Sequence, residues 1–331
     1  MKNKVRIGIF GIGHNHAAAA IKTLRALEGV EIVGLCEDDK AMLERRIKEN
    51  PGVYGDIRVM TKAELFDSRL DAAMCEPSVP YLVPTALECA KHGLHIHMDK
   101  PAGVDLEEYA KLLGELSSRR LVFQTGYMYR YNAGIRYVID SVKDGKLGRI
   151  YNITAAMSTK HPEWFKKQLI SYGVKAPAMY IFGCHLFDLC LLIKGKPESV
   201  TTFYARSQDG GVDFDDTSLS VLKYPDGVAT VKVSSVEING WGMREFTVYG
   251  ERGTISVSPI ENKMLVKETL IDEQEPWKDR FRYVDIEETG RYDVMMREFI
   301  DMIRGDIPYD VDFSHEYELQ KLTLSASGVE V

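Results

Sequence analysis

Val5-Arg6-Ile7-Gly8-Ile9-Phe10-Gly11-Ile12-Gly13-His14-Asn15-His16, followed by Ala17 to Ala20, decides the fold of this 331-residue chain. Val5 to Phe10 is apolar and β-branched with no proline, which predicts a short buried strand. Gly11 and Gly13 make a turn, and Ala18, Ile21, Leu24 and Arg25 fall at helical spacing, predicting a helix from about Asn15 to Leu27. A strand that enters a helix through Gly-x-Gly aims backbone N–H groups and a helix N-terminus at one spot, which favours a pyrophosphate. Gly11 permits the tight turn, and Gly13 lets the backbone approach the phosphates without a Cβ. His14 and Asn15 lie in the same loop and are candidates to line the pyrophosphate. The third glycine of the G-x-G-x-x-G pattern is replaced by His16, so the helix must sit slightly differently, with the alanine run restoring close packing. An ordinary glycine turn of an α/β protein is the plainer alternative.

The next segment supports the dinucleotide reading. Glu31 to Cys36 predicts a second strand that ends in Glu37-Asp38-Asp39. An acid about 20 residues past a glycine turn accepts hydrogen bonds from adenosine ribose hydroxyls, a role that falls to Glu37. Three acids in a row repel a 2′-phosphate and no arginine stands beside them, so NAD is expected over NADP. A solvated acidic turn is the alternative.

Composition sets outer limits. The length suggests two domains. With 45% hydrophobic residues, a net charge of −7 and a mean hydropathy of −0.20, the chain reads as soluble and globular, with no nucleic-acid surface. The apolar run after Lys4 is short and enters the glycine turn directly, which reads against a signal peptide. Ala176 to Ile193 is apolar but contains His185 and Asp188, and is expected as a buried helix, not a membrane span. Five cysteines form no C-x-x-C pair, which fits a reducing cytoplasm.

Further along, a helix is expected at about Lys40 to Glu49, a strand at Ile57 to Met60, and a helix capped by Thr61 with Glu64. Strands at Asp71–Cys75 and Leu94–Met98 follow, then Leu121 to Gln124, with helices at Tyr81 to Lys91 and Asp105 to Leu116 between them. This alternation predicts a doubly wound parallel sheet over residues 1–125. From 126 to 331 the pattern turns strand-rich with hairpin-type turns, predicting an α+β domain with a large, mainly antiparallel sheet. The strands are Tyr151–Met157, Ser199–Ala205, Leu219–Tyr224, Ala229–Val236, Glu245–Tyr249, Thr254–Val257 and Met264–Thr269. Helices at about Tyr292–Arg304 and Ser314–Ser327 close the chain.

Asp99-Lys100-Pro101 stands at the end of the fifth predicted strand, where ligands of such sheets sit. The proline makes Lys100 extended. A lysine there can hydrogen-bond a reacting oxygen; taken alone, the tripeptide reads more simply as a surface turn. The ordered set of Gly11-x-Gly13, Glu37, Glu76-Pro77 and Asp99-Lys100-Pro101 resembles the glucose–fructose oxidoreductase / inositol dehydrogenase family. Asp99 stands for the glutamate of that family's Glu-Lys-Pro. Gly126 to Asn132 and the helix Gly183-Cys184-His185-Leu186-Phe187-Asp188 resemble two further family segments, so the likeness spans nearly the whole chain.

The resemblance implies NAD(P)-dependent hydride transfer at a carbohydrate, glycoside or cyclitol hydroxyl. It places Lys100 and His185 facing C4 of the nicotinamide, and the resulting expectation is an enzyme with the catalytic set Lys100, His185 and Asp188. His185 suits a general base because its unperturbed pKa is near neutrality. Asp188, three residues on, shares its helix face and is expected to orient the imidazole or meet a substrate hydroxyl. A self-satisfied buried His–Asp pair is the bland alternative. Glu76, Pro77 and Lys100 join the cofactor set, and Arg130 and Trp164 the substrate set. Trp164 lies in His161-Pro162-Glu163-Trp164-Phe165, read as a loop, and ordinary packing is the simpler reading for it. The family also implies a homodimer or homotetramer through the outer face of the second-domain sheet.

One departure stands out. Many catalytic members carry an aspartate four residues before the histidine, where this chain has Ile181. That keeps open a regulatory NAD- and sugar-binding protein on the same fold, with chemistry lost. His95 and His97 alternate on one strand but have no third ligand in the sequence, so no metal is expected.

Overall fold

The computed structural model describes residues 4–207, 213–275, 280–309 and 311–331. The chain forms two compact units, Met1–Met128 with Gly290–Tyr317, and Tyr129–Thr289 with Glu318–Val331. The sequence reading draws a single division at residue 125. The chain instead divides after Met128 and again after Thr289 and Tyr317.

The first unit contains β1 (Val5–Phe10), α1 (Ala17–Arg25), β2 (Val30–Cys36), α2 (Lys40–Glu49), α3 (Pro51–Tyr54) and α4 (Lys62–Phe66). It continues with β3 (Ala72–Cys75), α5 (Leu82–Lys91), β4 (His95–Met98), α6 (Leu106–Arg119) and β5 (Phe123–Thr125). The strands form one parallel sheet in the order β2-β1-β3-β4-β5. Ile7, Ile9, Met74, Ile96 and Met98 are fully buried, as expected for a parallel sheet covered on both faces. Residues Ile57 to Met60 do not form the expected strand. Val59 makes a single bridge to Leu35, so the strand carrying Asp99 is the fourth. α4 starts as predicted, with Thr61 and Glu64 closing a reciprocal capping box.

The second unit contains α7 (Ala133–Lys143), β6 (Ile150–Ala156), α8 (Glu163–Ile170), α9 (Cys184–Lys194), β7 (Ser199–Ala205), β8 (Thr217–Tyr224) and β9 (Gly227–Ser234). β10 (Glu245–Gly250), β11 (Gly253–Val257), β12 (Val266–Leu270) and β13 (Phe281–Val284) follow. Its sheet runs β13-β12-β11-β10-β6-β9-β8-β7, antiparallel except where β6 meets β9. Ile153, Ala229, Val231, Phe246, Val248 and Ile255 are fully buried on one face. The register puts Phe203 opposite Leu219 near one edge of the other face, and Lys267 opposite Tyr283 near the other edge. The stretch expected as a loop around Trp164 is the helix α8, because Pro162 supplies an extended residue at its N-cap. β13 has no counterpart in the sequence reading; its residues are exposed or nearly so, leaving no alternation to detect.

α10 (Asp293–Arg304) returns to the first unit and buries Met295, Met296, Phe299 and Ile300, one helical stripe. Gln124 Nε2 donates to the Met295 carbonyl at 2.9 Å, and Arg304 donates to the carbonyls of Glu28 and Gly29. α11 (Phe313–Ala326) carries the chain across the division at Tyr317.

Candidate functional site

In the first unit β2 lies on one side of β1 and β3 on the other, so strand order reverses at β1. This is the switch point where open α/β sheets bind ligands. The glycine turn leaves β1 there. Gly11 N–H donates to the Cys36 carbonyl at 2.8 Å and His14 N–H to the Glu76 carbonyl at 2.9 Å. Gly11 adopts φ +81°, and a Cβ on it would meet Pro77 at 2.6 Å. A Cβ on Gly13 would meet Ser78 Oγ at 2.5 Å. Both glycines are therefore demanded by the loop after β3, in addition to any approach of a phosphate. Arg46 of α2 donates to the carbonyls of Gly13 and His14 at 2.9 and 3.1 Å and fastens the turn from behind. α1 starts at Ala17, with His16 at its N-cap making no side-chain cap bond.

Glu37 Oε2 accepts the Ile12 N–H at 2.9 Å, and Oε1 accepts the Asp39 N–H at 3.1 Å. The predicted ribose acid is thus held against the glycine turn. It opens onto a cleft of about 560 Å³ that is also lined by Gly11, Asp38, Pro77, Tyr81 and Lys62. Lys62 escaped the sequence reading because it lies 25 positions from Glu37; it is ion-paired with Glu88 at 2.8 Å. The cleft thus brings the acid after β2, the glycine turn and the loop after β3 to one place. Asn15, by contrast, is exposed.

Beyond the ends of β1, β3 and β4 lies a buried polar cluster. Asp99 Oδ2 is 3.0 Å from His14 Nδ1 and 3.2 Å from His16 Nδ1. Glu76 is fully buried, 3.7 Å from His14 Nδ1 and 3.6 Å from His97 Nε2. Burial, reinforced by the Asp99 charge, pushes the Glu76 carboxyl well above its ordinary value. Burial also tends to raise Asp99, but His14 and His16 outweigh it and hold that carboxyl low. Burial depresses His16 to about 3, against the pull of Asp99. Lys100 follows Asp99 and is buried, its N–H donating to Asp99 Oδ1 at 2.7 Å, and its peptide to Pro101 is cis. His95 is not part of the cluster; its Nδ1 accepts the Val122 N–H within the sheet.

In the second unit, His185 and Asp188 are buried on α9. Asp188 lies three residues after His185 on the same helix. It is engaged by Arg130, whose Nε donates to Oδ2 at 2.7 Å while Nη2 lies 2.7 Å from Oδ1. The ring that borders His185 is Tyr129, edge-on with centroids 4.9 Å apart. The Tyr129 hydroxyl sits 2.5 Å from Glu261 Oε2 and accepts from Arg244 Nη1 at 3.0 Å. Arg244, itself buried, also bonds Thr159 Oγ1 and stacks on Trp241. Sequence reasoning missed this Arg244–Glu261–Tyr129 group, because a single arginine opening a strand carries no local signal. Trp164 is 65% exposed on α8, with Phe165 at its edge.

Ile181 falls in a π-type turn, Met179–Gly183, directly before α9. An i→i+5 turn breaks the 3.6-residue count, so four residues before His185 is not one regular helical turn here. The place of an aspartate at that position cannot be counted off by spacing alone.

Residues 135–256 match the family model described as the GFO/IDH/MocA C-terminal domain. Over 296 residues the chain is 23% identical to myo-inositol 2-dehydrogenase of Thermotoga maritima, covering 86% of this chain and 83% of that protein. UDP-N-acetylglucosamine 3-dehydrogenase GnnA from Acidithiobacillus ferrooxidans superposes with a TM-score of 0.79 at 18% identity, over 98% of this chain and 97% of that one. The WlbA dehydrogenase from Bordetella pertussis, solved in complex with NADH and UDP-GlcNAcA, superposes with a TM-score of 0.76 at 18% identity, over 99% and 96%. With the glycine turn, the acid after β2 and the Lys-Pro after β4 in place, these matches bear out the resemblance to the glucose–fructose oxidoreductase / inositol dehydrogenase (Gfo/Idh/MocA) family.

Proposed function

We propose that the chain is an NAD-dependent dehydrogenase of a sugar, glycoside or cyclitol hydroxyl. The observation that carries this reading is the Glu37 carboxylate fastened to the glycine turn at the mouth of the switch-point cleft. The glycine turn and the N-terminus of α1 suit a pyrophosphate. Glu37 suits the ribose diol, and its two acidic neighbours disfavour a 2′-phosphate, so NAD is preferred. Relatives that act on inositol and on sugar nucleotides support the hydroxyl substrate class.

Bound NAD would supply the hydride acceptor. Lys100 is the group proposed to hydrogen-bond the reacting oxygen, and His185 the group proposed to take the hydroxyl proton as general base. Asp188 contributes by holding the Arg130 guanidinium, a group suited to substrate hydroxyls, instead of receiving the proton itself. Tyr129, fixed by Glu261 and Arg244, braces the His185 ring.

The test is NADH formation across a panel of sugars, glycosides and inositols, with NADP in parallel. Wild type is expected to turn over NAD with at least one of them, and His185→Ala and Lys100→Ala to lose roughly 100-fold or more in kcat. Tight NAD binding with no turnover in either direction would replace this reading with the regulatory one.

A further inference from the structure

Three side chains of metal-ligating type converge in the first unit: His14, His16 and Asp99 place one ligand atom each within 4.8 Å of one another. Two come from the glycine turn and one from the end of β4, so folding alone unites them. Ligands at about 2.0–2.2 Å around a tetrahedral divalent ion stand about 3.3 Å apart. The 3.0 and 3.2 Å separations from Asp99 Oδ2 to the two imidazole nitrogens are of that size.

A second, independent feature concerns Glu76. Its carboxyl is fully buried beside the Asp99 carboxyl, and neither oxygen meets a donor of the protein in ordinary hydrogen-bond geometry among the described residues. One oxygen faces His14 Nδ1 at 3.7 Å, too far for a hydrogen bond. A buried carboxyl left without a partner is costly, and a cation between it and His14 would remove that cost. His14 Nδ1 points the same way. It lies 3.3 Å from the His16 N–H, which needs a lone pair there, and 3.0 Å from Asp99 Oδ2, which needs a proton. One ring nitrogen cannot offer both; a lone pair directed at a cation shared with Asp99 removes the need for a proton between them.

We propose that His14, His16 and Asp99 bind one divalent transition ion of the zinc and cobalt class, with the Glu76 carboxyl beside it. Two imidazoles with a carboxylate form a donor set for such ions, harder than thiolate sites and softer than the all-oxygen sites of magnesium or calcium. The ion would tie the glycine turn to the end of β4. This inference does not depend on the dehydrogenase reading, because its readout is metal uptake.

The experiment uses the full-length chain, free of any affinity tag and stripped with a chelator. Co²⁺ is titrated while visible d–d absorption is followed, and bound metal is counted after equilibrium dialysis. One ion per chain is expected, with affinity weakened roughly tenfold or more in His16→Ala and in Asp99→Asn. His95→Ala, outside the cluster, should bind as wild type does. Far-UV circular dichroism and a thermal melt confirm that each variant is folded; His16, partly exposed at a helix start, is the safer of the two. No saturable uptake by wild type, or uptake that survives His16→Ala unchanged, overturns the proposal and leaves a hydrogen-bonded cluster or an adventitious ion only.

Discussion

Arg130 and Asp188 form a two-pronged ion pair, with both nitrogen-to-oxygen distances at 2.7 Å. Asp188 is almost fully buried and the Arg130 side chain one-fifth exposed. Two parallel contacts of this kind are strong and directional. Losing one partner strands a buried charge, which costs about 3 kcal/mol. Arg130→Met is expected to destabilise more than Asp188→Asn, since it takes the guanidinium away from the more deeply buried carboxylate. The double variant should be less destabilised than the sum of the two. Urea unfolding of all four proteins gives the coupling; strict additivity would show that the pair contributes nothing.

Glu37 joins the glycine turn to the cleft through its bond to the Ile12 N–H. Glu37→Ala is expected to weaken NAD binding by roughly 10- to 100-fold, the worth of charge-assisted bonds to a ribose diol. Glu37→Ala with Asp38→Arg should shift preference toward NADP, with Lys62 already in the cleft. Fluorescence titration with each cofactor measures this. Unchanged NAD affinity in Glu37→Ala would remove the acid from the cofactor site.

His161 stacks on Phe165 and Phe182, and its N–H bonds the Ser235 carbonyl. Burial, aided by the positive charges of Arg244 and Lys166, lowers its pKa from 6.5 to about 4. Between those values the unfolded chain binds a proton that the folded chain does not. Stability is therefore complete above pH 6.5 and falls as pH drops toward 4, by at most about 3 kcal/mol from this residue. In His161→Leu that part of the slope should vanish. Denaturation midpoints from pH 7 to 4 would contradict this if wild type and variant fell in parallel.

The outer face of the second-unit sheet carries Phe203, Leu219, Phe281 and Tyr283 exposed, with Thr154, Thr230 and Thr247 in register between them. A flat face edged by aromatics is suited to a second copy of the same sheet. Light scattering is expected to give a dimer or tetramer, and Phe203→Glu with Tyr283→Glu to shift it toward monomer. A monomeric wild type would remove this face as an interface.

The parallel sheet was legible because its signals are local. β1, the glycine turn and the acid after β2 lie within 33 consecutive residues, and β1, β3 and β5 are short, nearly fully buried runs. The Asp99-Lys100-Pro101 step was legible for the same reason, though it ends the fourth strand instead of the fifth. α8 was hidden behind His161-Pro162, which reads as a break until the proline is seen as a helix start. β13 was hidden because exposed edge residues lack a period. The return of α10 to the first unit is a contact across more than 160 positions, and nothing in Tyr292–Arg304 encodes its destination.

By itself the sequence determined the order of elements, the switch-point turn and the identities of Glu37, Lys100 and His185 as residues worth testing. Hydrophobic period and glycine chemistry act over a few residues, and such rules read along the chain. Only the tertiary structure decided who faces whom. It paired Asp188 with Arg130, set Tyr129 between Arg244 and His185, put a π-type turn where a regular helix was counted, and gathered His14, His16, Glu76 and Asp99. Those pairings are choices among distant partners, made by burial and charge once the chain has folded, and spacing along the sequence does not carry them.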